Sequence, residues 1–311
     1  MNELRVSVVI PTYQRRDGVA AVVRAVAAQP GVAEIVVVVD GAADGSYEML
    51  KELAEAEPRI RPVWQENSGD AAARQTGVEA AREDLVLLLD DDVFPGPGLV
   101  LGHARAHRDR TGLVQLGHLP VPPAPRRPGD FATFLYATEY ERVCRGYERD
   151  PGTILTRLWM GNLSIRRADA LRVGFVGPRR LRYHADQEFG LRCLRAGLVG
   201  RFDRTLSASH AHRRDLAGFA WQAWRSGADR RLLRAEFAEL AGLADDLPAP
   251  LRAAVAVAAA PGAYPIVVPV LRAGVRWAGS WRAETALARI LRQIEMHRGY
   301  HSRPFGGRLS R

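Results

Sequence analysis

Three consecutive carboxylates, Asp90, Asp91 and Asp92, directly follow the apolar segment LVLLL at residues 85–89. Adjacent carboxylates repel one another, and a divalent cation relieves that repulsion. Mg²⁺ is typically held by one or two protein carboxylates together with the phosphates of a substrate. The triplet therefore indicates a cation site that neutralises a diphosphate leaving group. The alternative is an acidic turn, for which Arg74 is a candidate partner. If strand geometry continues through the triplet, Asp90 and Asp92 point to one side and Asp91 to the other.

Two other apolar segments also end in polar residues. VSVVI is followed by Pro11, Thr12 and Tyr13, and IVVVV is followed by Asp40. An aspartate beside glycine is ordinary turn chemistry, but near the triplet Asp40 can accept hydrogen bonds from a base or a ribose. Tyr13 can pack on a base or serve as a structural residue. The three polar strand ends together favour a ligand site over an isolated acidic turn.

Two further candidates lie later in the chain. Asp186 opens a helical segment that Gly197 is placed to end. It is either a carboxylate stabilised by the helix dipole or a general base. His210 and His212 are two residues apart and would share one face of a strand, which suits metal ligation. A pair of surface histidines is the alternative.

Apolar periodicity predicts the elements that position these residues. Apolar strands alternate with helices over the first hundred residues, and Asp17 is placed to cap the first helix. The apolar face of that helix comprises Val19, Val22, Val23 and Val26. The alternation predicts an α/β fold with a Rossmann-like mixed, mainly parallel sheet flanked by helices. Ligands of such sheets bind outside the carboxyl ends of the strands. From about residue 216 the chain has the pattern of helices.

Charge is distributed unevenly over the 311 residues. Residues 1–100 hold 9 Lys and Arg against 17 Asp and Glu, whereas the remainder holds 35 against 18. The basic part predicts an anionic partner, such as phosphates, nucleic acid or an anionic membrane face, or else a solvated surface. Residues 253–271 carry no charge but contain three prolines. A buried or interfacial segment is therefore favoured there over a spanning helix.

Cysteine usage and the N-terminal residues bear on location. Cys144 and Cys193 are the two cysteines, too few for a disulfide framework, and residues 1–13 lack the pattern of a secretory leader. A reducing cytoplasmic environment is the expectation that follows.

Six segments of the chain resemble, in order, the motifs of glycosyltransferase family 2. They are VSVVIPTYQRR, VVVVDGAADGS, ENSGDAAARQTGV, LLLDDDVFPGP, MGNLSIRR and HADQEFGLRCLRAG. Gln14, Ala42, Gln75 and Ala185 stand where the family usually has other residues. Each motif is weak alone, but six in sequence over about residues 5–215 make the resemblance specific.

The resemblance implies a GT-A fold, a nucleotide-diphosphate sugar donor, Mg²⁺ or Mn²⁺, and inversion at the anomeric carbon. It makes Asp92 and His210 the metal ligands and Asp186 the general base. It assigns nucleotide-sugar binding to seven residues: Pro11, Thr12, Tyr13, Asp40, Arg74, Asp90 and Asp91.

On the acceptor side the resemblance places Gly161, Asn162 and Glu188. The acceptor itself is expected to be a hydroxyl group, either lipid-linked or on a glycan.

The residues after the first strand argue against other classes of nucleotide-binding protein. PTYQRR is neither the G-x-G-x-x-G motif of dinucleotide binders nor the Gly-rich phosphate loop of a sugar-nucleotide nucleotidyltransferase. A phosphatase would leave Asp40 and Asp186 unexplained. A non-catalytic module that binds nucleic acid or another anion stays open as an alternative. No specific nucleic acid is expected, because the sequence holds no recognisable motif for one.

We therefore expect a metal-dependent inverting glycosyltransferase. Its GT-A domain spans 1–215, with a nucleotide-sugar-binding half at 1–118 and an acceptor-side half at 119–215. A mainly helical, basic extension follows at 216–311. The expected location is the cytoplasm, with peripheral contact at the inner membrane face through the basic extension.

Overall fold

A computed structural model describes residues 4–121, 129–178, 181–210, 215–240 and 247–302. The chain divides into two compact units. Unit 1 comprises residues 1–122, 139–180 and 185–212, and unit 2 comprises residues 123–138, 181–184 and 213–311. The division at residue 215 that the sequence suggests stays a prediction.

Unit 1 is built on an eight-stranded sheet with the order β3-β2-β1-β4-β7-β6-β8-β5. Its strands are β1 (Val6–Thr12), β2 (Val32–Asp40), β3 (Ile60–Gln65), β4 (Leu85–Leu89), β5 (Val93–Pro95), β6 (Leu113–His118), β7 (Asn162–Arg166) and β8 (Val199–His210). Strands β1 to β4 are parallel to one another, whereas β7 runs antiparallel to both β4 and β6. The predicted mixed, mainly parallel sheet is confirmed.

Helices of unit 1 cover this sheet because its central strands are apolar on both faces. Every residue of β1 and β4 is buried. The helices are α1 (Arg16–Ala27), α2 (Ser46–Ala56), α3 (Asp70–Ala80), α4 (Leu99–Ala106), α6 (Arg167–Val173) and α7 (Ala185–Arg195). The predicted apolar face of α1 is buried. The prediction that Asp17 caps α1 is wrong, because Arg15 is the N-cap residue and Asp17 lies inside the first turn.

Helix α3 packs closely on the sheet through a glycine. A Cβ atom at Gly77 would lie 2.3 Å from Cγ1 of Val9 in β1 and 3.2 Å from Cγ2 of Val38 in β2. The helix that carries Arg74 is thereby held closer to β1 and β2 than any larger residue would allow.

A buried polar network connects α4 to β7. Nε2 of His103 is 2.9 Å from Oδ1 of Asn162, and its Nδ1 is 2.7 Å from Oγ of Ser164. Nε2 of His107 is 2.9 Å from the same Oγ atom. Burial lowers the pKa of both histidines to about 4. The amide oxygen of Asn162 only accepts hydrogen bonds, so His103 donates to it through Nε2. The Nδ1 atom of His103 then accepts a hydrogen bond from the Ser164 hydroxyl, so the His103 ring is neutral.

Unit 2 is mainly helical, as predicted for the chain beyond residue 216. It contains α8 (Leu216–Glu236), α9 (Ala249–Ala259), α10 (Tyr264–Trp277) and α11 (Trp281–His301). The helix α5 (Phe131–Arg149) contributes its first eight residues to unit 2 and the rest to unit 1. Two buried apolar clusters hold unit 2 together, one including Phe131, Phe219 and Ala288 and the other Val268, Leu291 and Ile294.

Within the described ranges, no single helix is long and apolar enough to cross a membrane. Helices α9 and α10 pass that test only as a pair, on length and composition, and they are bent by 106° relative to each other.

The close approach at Gly77 predicts a steric penalty. We expect Gly77→Ala to lower the free energy of unfolding by about 1–3 kcal/mol, because the added methyl group meets Val9 and the packed sheet cannot retreat. Gly146→Ala in α5 is the matched control, because a Cβ atom there has no neighbour within 4 Å. It should instead stabilise by about 0.5–1 kcal/mol through helix propensity. Urea unfolding of both variants measures the difference, and equal effects would contradict the packing argument.

The histidine network predicts a loss of stability in mild acid. In the unfolded chain both histidines take up protons near the ordinary pKa of 6.5, whereas in the fold they do so only near 4. Stability should therefore fall as the pH drops through this window, by about 1.4 kcal/mol per pH unit for each histidine. Urea unfolding at several pH values should show a shallower slope for His107→Gln than for the wild type. The surface variant His301→Gln serves as control, and the same slope in both variants would refute the assignment.

Candidate active site

The acidic triplet occupies a turn at the carboxyl end of β4. Strand β4 ends at Leu89, and the amide of Val93 donates to the carbonyl of Asp90 at 3.1 Å. The strand geometry therefore does not continue through the triplet, so the condition under which Asp90 and Asp92 would share one side is not met. The turn directs Asp91 and Asp92 to one common partner, Arg15, and Asp90 to another.

Asp91 and Asp92 meet groups from β1 and the loop that follows it. Thr12 Oγ1 donates to Asp91 Oδ2 at 2.7 Å. The guanidinium of Arg15 lies 3.3 Å from Asp91 Oδ1 and 3.5 Å from Asp92 Oδ2. Burial raises the pKa of Asp91 to about 6, against the effects of Thr12 and Arg15. Burial also opposes ionisation of Asp92, but His210 and Arg15 outweigh it and hold the pKa of this carboxyl below its ordinary value.

His210 reaches Asp92 because two short strands pair. In the antiparallel ladder between β5 and β8, His210 lies opposite Val93, the residue after Asp92. Its Nε2 atom is 3.3 Å from Asp92 Oδ1. His212, the alternative ligand, lies outside the described residues.

The remaining carboxylate of the triplet, that of Asp90, pairs with a different basic side chain. Arg74 Nη2 donates to Asp90 Oδ1 at 2.6 Å, so the pairing suggested by the sequence is observed. The other Nη atom of Arg74 pairs with Asp70 one helical turn earlier. Gly161 lies against the same carboxylate with φ +115°, and a Cβ atom there would be 2.7 Å from Asp90 Oδ2. The ladder between β4 and β7 sets this approach, because it pairs Leu89 with Asn162.

Asp186 lies in the first turn of α7 and belongs to the same group of charges. Its Oδ2 atom accepts from the amide of Met160 at 3.0 Å. Burial raises the pKa of this carboxyl, and Asp90 adds to the rise, while Arg74 and the Met160 amide oppose it. A carboxylate with a raised pKa and electrostatic contact with Arg74 and Asp90 is suited to accept a proton close to the triplet.

Asp40 organises the loop between β3 and α3. Its Oδ1 atom accepts from the Gln65 side chain at 2.7 Å and from the Ser68 amide at 2.8 Å, and its Oδ2 atom accepts from the Gly69 amide at 2.9 Å. These bonds position the N-terminus of α3, which carries Arg74.

The remaining candidates differ in accessibility. Pro11 is a buried residue of β1, whereas Tyr13 is half exposed just beyond it. Asn162 is buried, and its amide nitrogen donates to the carbonyls of Leu206 and His118. Glu188 is buried against Gly177, whose absent Cβ atom would overlap its carboxylate.

Sequence reasoning missed one functional candidate, Arg15. Its side chain is 43% exposed and bridges two carboxylates of the triplet. The available signal was a basic residue two positions after Tyr13, at the edge of the sheet where the polar strand ends meet. The buried histidines of α4 were also missed.

Asp92 and His210 fit a divalent cation as a pair of ligands. Among the described residues, no group of three or more His, Cys, Asp or Glu side chains could hold a metal by itself. One carboxylate and one imidazole suit an ion that takes its other ligands from substrate phosphates and water. Arg15 contributes positive charge beside two carboxylates of the triplet.

Comparisons with known proteins show what the chain is similar to. Residues 7–156 match the model of the glycosyl transferase family 2. EpsH of Bacillus subtilis (strain 168), named as a glycosyltransferase, is 37% identical over 81 residues, which are 26% of this chain and 24% of that protein. The uncharacterized glycosyltransferase YibD of Escherichia coli (strain K12) is 35% identical over 94 residues, which are 29% of this chain and 27% of that protein. The matches thus span about a quarter of the length of these relatives.

A solved structure shares the fold over nearly the whole chain. The mannosyltransferase PcManGT from Pyrobaculum calidifontis, in complex with GDP-Man and Mn²⁺, superposes with a TM-score of 0.61 at 17% sequence identity. The superposition covers 96% of this chain and 87% of that one. Through residues 7–156 the chain belongs to glycosyltransferase family 2, and the sheet that carries its acidic triplet has the GT-A fold.

Proposed function

We propose that this protein is a metal-dependent inverting glycosyltransferase that moves a sugar from a nucleotide-diphosphate sugar to an acceptor hydroxyl. The observation that carries the proposal is the grouping of charges at one sheet edge of unit 1. There the triplet meets Arg15, Arg74 and His210, and Asp186 lies within electrostatic reach of Asp90. The family of the chain supports the same reaction.

Donor binding is the role we propose for the ends of β1, β2 and β4. The exposed ring of Tyr13 offers a surface on which a base can stack. Asp40 supports this region by positioning the loop that leads to Arg74. The other members of the proposed donor site are Pro11, Thr12, Asp90 and Asp91.

A divalent cation, Mg²⁺ or Mn²⁺, is part of the proposal, with Asp92 and His210 as its protein ligands. When bound, the ion would neutralise the negative charge that develops on the leaving diphosphate. The structural relative PcManGT contains GDP-Man and Mn²⁺, which supports this donor and cofactor class. Arg15 can turn from the triplet towards the same diphosphate, because its guanidinium is exposed at this edge.

Asp186 is the proposed general base. Its Oδ2 atom is held by the Met160 amide, which leaves Oδ1 to face an acceptor hydroxyl. As the acceptor oxygen forms its bond to the anomeric carbon, the bond from that carbon to the diphosphate breaks, and the diphosphate keeps the electron pair. The acceptor proton passes to Asp186. Inversion results because base and leaving group act on opposite faces of the sugar.

The acceptor side is proposed to involve Gly161, Asn162 and Glu188. Asn162 and Glu188 are buried, so they would act by holding the backbone of β7 and the start of α7. We propose an acceptor hydroxyl that is either lipid-linked or on a glycan, used from the cytoplasmic face of the inner membrane. The net basic charge beyond residue 100 supports an anionic acceptor.

The cation site predicts metal-dependent donor binding. In a thermal-shift panel of UDP-, GDP- and dTDP-sugars with and without Mn²⁺, one nucleotide series should stabilise the wild type by about 2.7 kcal/mol at a concentration about 100 times its Kd. Asp92→Ala should lose this stabilisation, measured from its own unliganded melting temperature. The control is Asp109→Asn, an exposed change in the loop between α4 and β6. Metal-independent stabilisation, or its retention in Asp92→Ala, would contradict the proposed ligand.

The base predicts a separate effect on turnover. Asp186→Asn keeps the size of the side chain but removes its basicity, so kcat should fall by about 10²–10⁴. Donor stabilisation in the thermal-shift panel should be retained, because the residue is not a donor ligand. A non-catalytic module on this fold would instead bind the donor and show no turnover in the wild type. Turnover of Asp186→Asn at the wild-type rate would exclude this residue as the base.

A further inference from the structure

Helix α10 of unit 2 exposes an apolar stripe. Ile266, Val270, Ala273 and Trp277 follow one another at helical spacing and are all exposed. The exposed fractions are 68% for Ile266, 67% for Val270 and 85% for Trp277. A surface helix of a globular protein normally turns such a stripe towards its core.

The opposite face of α10 packs into the core of unit 2. Val268 is buried in a cluster with Leu291 and Ile294 of α11, and Val275 is buried in a second cluster with Ala288 of the same helix. The outer stripe is therefore additional apolar surface, since the packing of α10 is already satisfied. A contiguous exposed apolar surface of this kind marks a binding site.

Helix α9 and the connection to α10 also expose apolar residues. Leu251 and Val257 are both exposed on α9, and Pro261 and Gly262 are exposed in the connection between the two helices. We call the exposed residues of α9, the connection and α10 the apolar ridge. It is formed entirely within unit 2.

The chain segment that forms the apolar ridge carries charges of one sign. Residues 247–283 contain four arginines and no aspartate or glutamate. A groove of about 450 Å³ runs beside the stripe and is lined by Tyr264, Arg272, Arg276 and Trp277, among others. Arg272 is paired with Glu295 at 3.2 Å, whereas Arg276 is exposed. Arginine beside exposed apolar residues, with a tryptophan at the end of the helix, is the composition of a helix that lies in a membrane interface.

We propose that the apolar ridge binds the surface of an anionic phospholipid membrane, with Ile266, Val270 and Trp277 entering the headgroup boundary and Arg252 and Arg276 contacting lipid phosphates. A second copy of this chain is the less favourable occupant, because joining two ridges would bring Arg252 and Arg276 of both copies together and residues 247–283 contain no carboxylate to balance them. The inference does not depend on sugar transfer, because the ridge lies in unit 2 and the proposed donor site lies in unit 1.

Vesicle flotation of the full chain tests this inference. The wild type should bind vesicles of phosphatidylcholine with phosphatidylglycerol and bind phosphatidylcholine alone more weakly, and high salt should reduce binding. The double variant Ile266→Ser/Val270→Ser should bind at least about tenfold more weakly. Arg252→Gln/Arg276→Gln should lose about fivefold per arginine on the anionic vesicles only. Val199→Ser is the matched control, because this valine of unit 1 is 63% exposed and should leave binding unchanged.

A second readout locates the contact. Brominated lipid should quench the fluorescence of the six tryptophans less in Trp277→Phe than in the wild type, because Trp277 would enter the lipid. Binding of the double variant to anionic vesicles at wild-type strength, or no wild-type binding to anionic vesicles, would overturn the proposal. The proposal would also be overturned if the wild type self-associates and binds no vesicles, and the double variant loses that self-association. Metal-dependent donor stabilisation of the same variants reports on unit 1, so failure of the membrane contact is distinguishable from failure of the proposed transferase.

Discussion

Electrostatic repulsion among three adjacent carboxylates at the end of β4 is the constraint on which the rest of the site depends. The turn relieves this repulsion by placing each carboxylate beside basic or hydrogen-bonding groups. Asp90 pairs with Arg74, Asp91 with Thr12 and Arg15, and Asp92 with His210 and the same Arg15. These partners come from α3, from β1 and its loop, and from β8. Because these partners come from segments that meet only in the folded sheet, the fold is a condition for this charge cluster.

The elements could be predicted from the sequence because apolar periodicity is a local property. The buried strands β1, β2 and β4 and the apolar face of α1 follow directly from their residues. The pairing of Arg74 with the triplet was also accessible, since both belong to adjacent motifs. The direction of each carboxylate was not, because it depends on a turn that ends the strand one residue before Asp90.

Other features were beyond the sequence because they join distant segments. His103 contacts Asn162 across 59 residues, and nothing near either residue indicates that a ring and an amide will meet in the core. Arg15 reaches Asp91 only through the parallel pairing of β1 with β4. Asp40 likewise looks like a turn residue, and its three bonds with the β3–α3 loop become visible only in the fold. Local chemistry indicated the candidate residues, and long-range pairing determined what each of them touches.

The ladder between β4 and β7 has a consequence for how the protein can vary. Leu89 and Asn162 are backbone partners, so Asp90 and Gly161 begin from positions separated by the fixed width of a strand pair. That separation is a property of the peptide backbone and is independent of the side chains on either loop. Outside the acidic triplet and Gly161, the loops that follow β4 or precede β7 can therefore change in sequence and length, while the separation between the two strand ends stays the same.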